Sequence, residues 1–155
     1  SVSLDPPLVL FCPQKTSSSW PLIEASGGFC ANILSSEQED VCRVMASKSE
    51  DKFAGVGYRP GASGSPVLSD VLGFIDCTIE RVHDEGDHFV VIGRVLELDA
   101  ANEGLPLIFY RGGYGRFAPS AGAARLRTRR RPAPDPSPTP RPPRLTRHRQ
   151  GPSRR

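Results

Sequence analysis

A small antiparallel β-barrel with one or two short helices is the fold class that this sequence predicts. Three observations point to it. Short runs rich in β-branched and aromatic residues recur at close spacing. Two long runs of this kind flank a single turn, as a hairpin requires. Helical periodicity is confined to brief stretches, and no GxGxxG follows a strand, so neither a βαβ fold nor a Rossmann nucleotide site is indicated. At 155 residues the chain has room for one domain.

Taken in order, Leu8 to Phe11 is an apolar run short enough for a buried strand, and it stops at Pro13. Lys15 and four hydroxyls, Thr16 to Ser19, come next. Trp20 and Pro21 then open a short helical segment, Leu22 to Ala25, because proline is tolerated in the first helical turn. The run from Gly27 to Leu34 reads as a strand, in which Asn32 must find a hydrogen-bond partner. Ser36 with Glu39 three residues on forms a capping box. Val41, Val44 and Met45 then share one face of a helix spanning 37–47, with Glu37, Glu39 and Asp40 at the positive end of its dipole.

A loop rich in Gly and Pro runs from Gly55 to Pro66. The hairpin pairs Val71–Val82 with Phe89–Leu98 through Asp84-Glu85-Gly86-Asp87. Within its first arm Asp76, Thr78 and Glu80 share one face, and Ile75, Cys77 and Ile79 the other. A last strand, Leu107 to Tyr110, leads into Arg111-Gly112-Gly113.

Charge divides the chain in two. Residues 118–155 hold 11 Arg and one acid, a net of +10, which leaves −7 on residues 1–117 of the total +3. Nine of the 16 prolines also fall in that tail, so it cannot bury enough surface to offset ordering entropy and is expected to be disordered. An arginine-rich arm can bind nucleic acid through counterion release. The same Arg/Pro/Ala mixture also arises when a GC-rich gene is read in a shifted frame, and no nucleic-acid partner is expected. Cys12, Cys30, Cys42 and Cys77 lack CxxC spacing and read as buried free thiols, and no metal site is expected. With no apolar run near ~20 residues and no visible signal peptide, the chain reads as cytoplasmic and without a membrane partner.

Candidate chemistry concentrates in a few places. Hydroxyls, a lysine and backbone N–H groups at Lys15–Ser19 suit either a phosphate or a plain helix-capping turn. Lys52 beside Phe53 suits a ring pocket, although Phe53 also suits a core. His88, at the hairpin turn, is a histidine whose charge changes near neutral pH, whereas His83 has no motif around it. No GxSxG or catalytic triad is visible.

The order of strand, Cys12-Pro13-Gln14-Lys15-Thr16-Ser17-Ser18-Ser19-Trp20-Pro21, short helix and Gly27–Leu34 resembles the flavin reductase family. So do Asp51–Gly55, Arg59-Pro60-Gly61, Gly86-Asp87-His88-Phe89 and Phe109–Gly113, in the same order. The resemblance covers about residues 1–117, which would be one domain, with 118–155 outside it. It implies a Greek-key split barrel that binds FMN or FAD, takes a hydride from NADH or NADPH, and works as a homodimer. Such proteins supply diffusible reduced flavin to a partner monooxygenase, here one acting on an aromatic or steroid ring. The alternative is a flavin-binding barrel without reductase turnover.

The resemblance also implies residue roles. Cys12, Pro13 and Gln14 would run along the flavin ring edge, and Lys15, Thr16, Ser18 and Ser19 would meet its phosphate. Ser1, Val2 and Ser3 would end a flavin loop, and Asn32, Arg43, Lys52 and Phe53 would add further flavin contacts. His88 would lie on the nicotinamide side as the catalytic residue, joined by Phe109, Tyr110, Arg111 and Gly112 on the dinucleotide. Ser18 and Arg111 would thus face each other across the barrel. Family members carry a helix, the first barrel strands and a flavin loop before the position of Ser1, so the chain is expected to be a truncation with open sheet edges.

Overall fold

The computed structural model describes residues 1–49, 51–100 and 103–118. The expected disordered tail lies, apart from Ala118, outside the described residues. Nine strands and two helices are found among those described: β1 (Ser3–Leu4), β2 (Pro7–Phe11), α1 (Trp20–Ser26), β3 (Gly28–Ile33), α2 (Glu39–Ala46), β4 (Tyr58–Pro60), β5 (Pro66–Leu68), β6 (Gly73–Glu85), β7 (His88–Asp99), β8 (Leu107–Tyr110) and β9 (Gly113–Arg116). The chain is mainly β and wholly antiparallel, as its pattern predicts. The central sheet runs β1-β2-β7-β6-β3, beside two small hairpins, β4-β5 and β8-β9. No described helix is long and apolar enough to cross a membrane.

The long β6–β7 hairpin forms the spine. Its turn is tighter than the sequence suggests: Glu85 pairs with His88, so only Gly86 and Asp87 lie in the loop. Gly86 has φ +60°, the left-handed value that the first position of a II′ turn demands and that glycine adopts without a Cβ penalty. Two bulges re-aim the spine. Leu96 is unpaired between Glu97 and Val95, and Glu80 is unpaired between Ile79 and Arg81.

The core is narrow. Cys77 and Val91 are fully buried, with Trp20, Val67, Leu68, Val71 and Phe74 nearly so. Phe29 crosses from β3 to β7 and lies directly on Gly93, where any Cβ would strike its ring. Around it Phe11 packs edge-on to both Phe29 and Trp20, at centroid distances of 4.7 Å and 5.9 Å.

Asp76 is the one fully buried acid among the described residues. The polar face that it shares with Thr78 and Glu80 is roofed at Asp76 by the 61–65 loop. Ser63 donates to it twice, from Oγ at 2.5 Å and from its backbone N–H at 2.7 Å. A buried carboxyl without such donors would be costly, so this contact fixes the loop.

Four expectations need correction. The capping box does not form: Ser36 Oγ donates to the neighbouring Glu37, and α2 starts at Glu39 rather than 37. Its work is done one residue earlier, where the Ser35 N–H donates to Gln38 Oε1 at 3.0 Å. The Gly55–Pro66 loop is not all loop, because it contains β4 and the first residue of β5. The thiols are free, but only Cys77 is buried; Cys30 and Cys42 are half-buried and Cys12 is exposed. Cys12 follows the last residue of its strand, where the chain has already left the sheet.

Candidate functional site

Two segments far apart in sequence meet at the hairpin turn. The Phe89 N–H donates to the Pro13 carbonyl at 3.0 Å, and the Lys15 N–H donates to the Asp87 carbonyl at 2.9 Å. Between them Gln14 and His88 form an antiparallel bridge. The stretch Cys12–Lys15 therefore lies along Asp87–Phe89 as a short extra strand. Strand β2 delivers it there, because β2 pairs with β7 in a register that places Phe11 opposite Val91.

Side chains tie the same junction. Lys15 forms an ion pair with Asp84, and its ammonium lies 5.5 Å from the centroid of the Phe89 ring. Trp20 packs against the same Phe89 ring at 5.8 Å. The His88 imidazole sits with Nδ1 2.8 Å from Asp87 Oδ1. This hydrogen bond, and after it the charge of His88, holds the exposed Asp87 carboxyl below the usual carboxylate range.

From the junction the hydroxyl turn leads into α1. Ser17 Oγ accepts from the Trp20 N–H at 3.3 Å, and the Ser17 N–H donates to the Gln14 carbonyl at 3.0 Å. Thr16 and Ser18 are exposed. Ser19 receives the Lys52 ammonium at 3.3 Å, and the same ammonium donates to the Met45 carbonyl near the end of α2 at 3.0 Å. Lys52 thus joins α1 to α2, with its charge beside the hydroxyls.

The remaining candidates fall in three groups. Ser1, Val2 and Ser3 lead into β1 and run back along β2 toward its Cys12 end, with the Val2 N–H donating to the Leu8 carbonyl. Asn32 holds β5: its amide donates to the Pro66 carbonyl and accepts from the Leu68 N–H. Phe53 is partly exposed against Tyr58, with ring centroids 5.1 Å apart. Arg43 pairs with Glu39 one helical turn back, at 2.6 Å, and lies 4.7 Å from the Tyr114 centroid.

That last contact links α2 to the β8–β9 hairpin, and the Tyr114 hydroxyl donates to the Cys42 sulfur at 3.4 Å. Phe109 and Tyr110 are exposed on β8. Arg111 and Gly112 form the two-residue turn, with φ of +49° and +82°. The sequence suggests glycines that admit a ligand; the structure uses Gly112 to turn the chain.

Two cavities lie elsewhere. One of about 300 Å³ is lined by Tyr58, Arg59, Phe74 and Asp99 among others, and one of about 410 Å³ by Ser35, Glu37, Glu103 and Arg116 among others. Neither includes Ser18 or Arg111. Among the described residues no hydrogen bond or ion pair joins Ser18 to Arg111: Lys52 ties Ser19 to α2, and Tyr114 ties the Arg111 hairpin to Arg43 and Cys42 of α2. Sequence reasoning missed Trp20 as a member of the site; its position directly after the hydroxyls was the available signal. It also missed Asp84 and Glu39, which engage two of the candidate cations.

Comparison with known proteins gives a consistent picture. Residues 1–118 match the family described as "Flavin reductase like domain". The reductase subunit HsaB of a flavin-dependent monooxygenase from Mycobacterium tuberculosis is 53% identical over 121 residues, covering 77% of this chain and 65% of that protein. Nitrilotriacetate monooxygenase component B from Mycobacterium thermoresistibile superposes with a TM-score of 0.74 at 50% identity, covering 82% of this chain and 73% of that one. The NADH:FAD oxidoreductase SgcE6 of Streptomyces globisporus, solved with NAD and FAD fragments, gives 0.70 at 35% identity, covering 78% and 74%. The chain spans about two thirds of the length of the curated relatives that it matches.

Proposed function

Since this chain belongs to the flavin reductase like family, we propose that it is an NAD(P)H:flavin oxidoreductase that supplies reduced FMN or FAD to a partner monooxygenase acting on an aromatic or steroid ring. One observation carries the reading: the Cys12–Lys15 segment and the Asp87–Phe89 turn, which the resemblance assigns to flavin and to nicotinamide respectively, are hydrogen-bonded to each other.

The residues present fit a flavin. The exposed Thr16 and Ser18 hydroxyls and the Lys52 ammonium offer donors to a phosphate, and Lys52 is the candidate cation there without a carboxylate partner among the described residues. Bound flavin would supply a hydride-accepting ring, the step that the protein itself cannot perform. The chain's part is to hold, orient and shield. Backbone hydrogen bonds fix Pro13 and Lys15 against the turn, so the ring-edge segment is rigid before a ligand arrives. Phe11 and Phe89 pack on the buried Trp20 beside the junction, giving it an apolar flank. His88 presents its imidazole at the edge of the same junction, where it can meet the dinucleotide. Phe109, Tyr110 and Arg111 project from a separate hairpin, a suitable arm for the remainder of a dinucleotide. Pairing as a homodimer is part of this reading, supported by Phe109 at 65% and Tyr110 at 69% exposure on one strand.

The test is oxidation of NADH and of NADPH by the purified chain with each flavin, followed by stopped flow. Flavin-dependent consumption of one nucleotide is expected, with His88→Ala lowering kcat/KM by about 10–100-fold while flavin affinity holds. Tight flavin binding with no nucleotide oxidation would reduce the protein to a flavin carrier.

A further inference from the structure

We infer that Asp87 is a positioning residue for His88: it fixes the ring's Nδ1–H tautomer and so makes Nε2 a hydrogen-bond acceptor for a donor group on the dinucleotide. This rests on the reductase reading and specifies what His88 does within it.

The assignment follows from the geometry. Asp87 Oδ1 lies 2.8 Å from His88 Nδ1. A carboxylate has only lone pairs to offer, so the proton in that contact belongs to Nδ1. In the neutral ring Nε2 then carries the lone pair, and among the described residues it has no hydrogen-bond partner. The donors a nicotinamide nucleotide offers to such an acceptor are its carboxamide N–H and its ribose hydroxyls.

The platform is unusually well fixed for a surface pair. Asp87 is the second residue of a two-residue turn, its carbonyl accepts the Lys15 N–H, and His88 is bridged to Gln14. Both residues are therefore held by backbone, and the side-chain contact costs little extra order. The charged and titratable groups around it are Lys15 and Cys12 on the incoming segment, and His83, Asp84 and Glu85 on β6. Lys15 is paired with Asp84, which leaves Asp87 as the acid in contact with the ring.

Stability does not account for the pair. Asp87 is 90% exposed, and ion pairs in water contribute little to folding. Removing Asp87 should therefore leave the melting temperature unchanged while altering the ring.

Long-range 1H–15N NMR of the full chain reads the tautomer directly, without flavin, at about pH 8.5, some two units above the ordinary histidine pKa. His88 is assigned by its loss in His88→Gln, since His83 and His148 also contribute signals. The expected result is an Nδ1–H ring that becomes the Nε2–H form, preferred by unconstrained histidine, in Asp87→Ala. Asp87→Asn keeps a neutral acceptor and should restore much of the Nδ1–H form. KM for the nucleotide should rise about tenfold in Asp87→Ala with flavin Kd unchanged, and Asp87→Asn should recover most of it. An Nε2–H ring in the unaltered chain, or no change in Asp87→Ala, would overturn the inference. An Nδ1–H ring in a chain that oxidises no nucleotide would instead overturn the reductase reading and leave the tautomer assignment standing.

Discussion

Lys52 and Arg43 stand close in the fold yet have opposite roles in this account. Arg43 is held by Glu39 at 2.6 Å and by the Tyr114 ring, whereas Lys52 is shared between two neutral oxygens, Ser19 Oγ and the Met45 carbonyl. A phosphate approaching the hydroxyl turn would therefore meet Lys52 as its counter-charge. Lys52→Met should weaken FMN binding about tenfold, to the level of riboflavin, and leave riboflavin binding unaffected; Arg43→Met should change neither. Parallel titrations of both flavins decide this. The thiols give a second residue-scale prediction. Burial, and then the charge of Asp76, pushes Cys30 and Cys77 up to about 11, so roughly one in a thousand of either is thiolate at pH 8. A thiol reagent at pH 8 should modify exposed Cys12 first and leave Cys30 and Cys77 until the protein unfolds. The raised values also carry a sign. The folded thiols keep their protons while the unfolded chain loses them, so stability should fall as pH rises from 9.0 through about 11. The residue pattern marks Lys52 beside Phe53, but not its contact with Ser19, which lies 33 residues away. It failed to show that Lys15 is paired, because its partner Asp84 lies 69 residues away.

At the scale of elements, the strands were legible and their irregularities were not. β2, β8 and both arms of the long hairpin lie where β-branched and aromatic runs place them. The bulges at Glu80 and Leu96 leave no mark in the pattern, since the alternation through Asp76, Thr78 and Glu80 looks regular. The roof over Asp76 is equally invisible: serine at 63 reads as a loop residue until folding brings it 2.5 Å from that carboxyl. Asp76→Ala should cost about 1–3 kcal/mol, because it removes the acceptor of two half-buried Ser63 donors and loosens the 61–65 loop. Urea unfolding checks it; a lower midpoint at constant slope is expected, and an unchanged midpoint would count against Asp76 as the anchor of the loop. Gly93→Ala belongs to the same scale. The added methyl meets Phe29, whose displacement opens the Phe11–Trp20 cluster, so destabilisation of about 1–3 kcal/mol and a shifted Trp20 fluorescence are expected.

For the whole molecule, the sequence nominates segments, and folding determines how they meet. Cys12–Lys15 and Asp87–Phe89 are separated by more than 70 residues, and no local pattern announces their bridge; it follows from β2 pairing with β7. Their union is what turns two weak motifs into one candidate site. The Arg111 hairpin meets α2 through Tyr114 and Arg43, and Lys52 joins α2 to the hydroxyl turn. The direct measurement is a stepwise addition of FMN and then NAD+ to the 15N-labelled chain. Both ligands should move the same amides, Gln14 and Lys15 together with Asp87, His88 and Phe89. Shifts gathered instead around the Tyr58–Asp99 cavity, with the bridge between Gln14 and His88 untouched, would contradict the account.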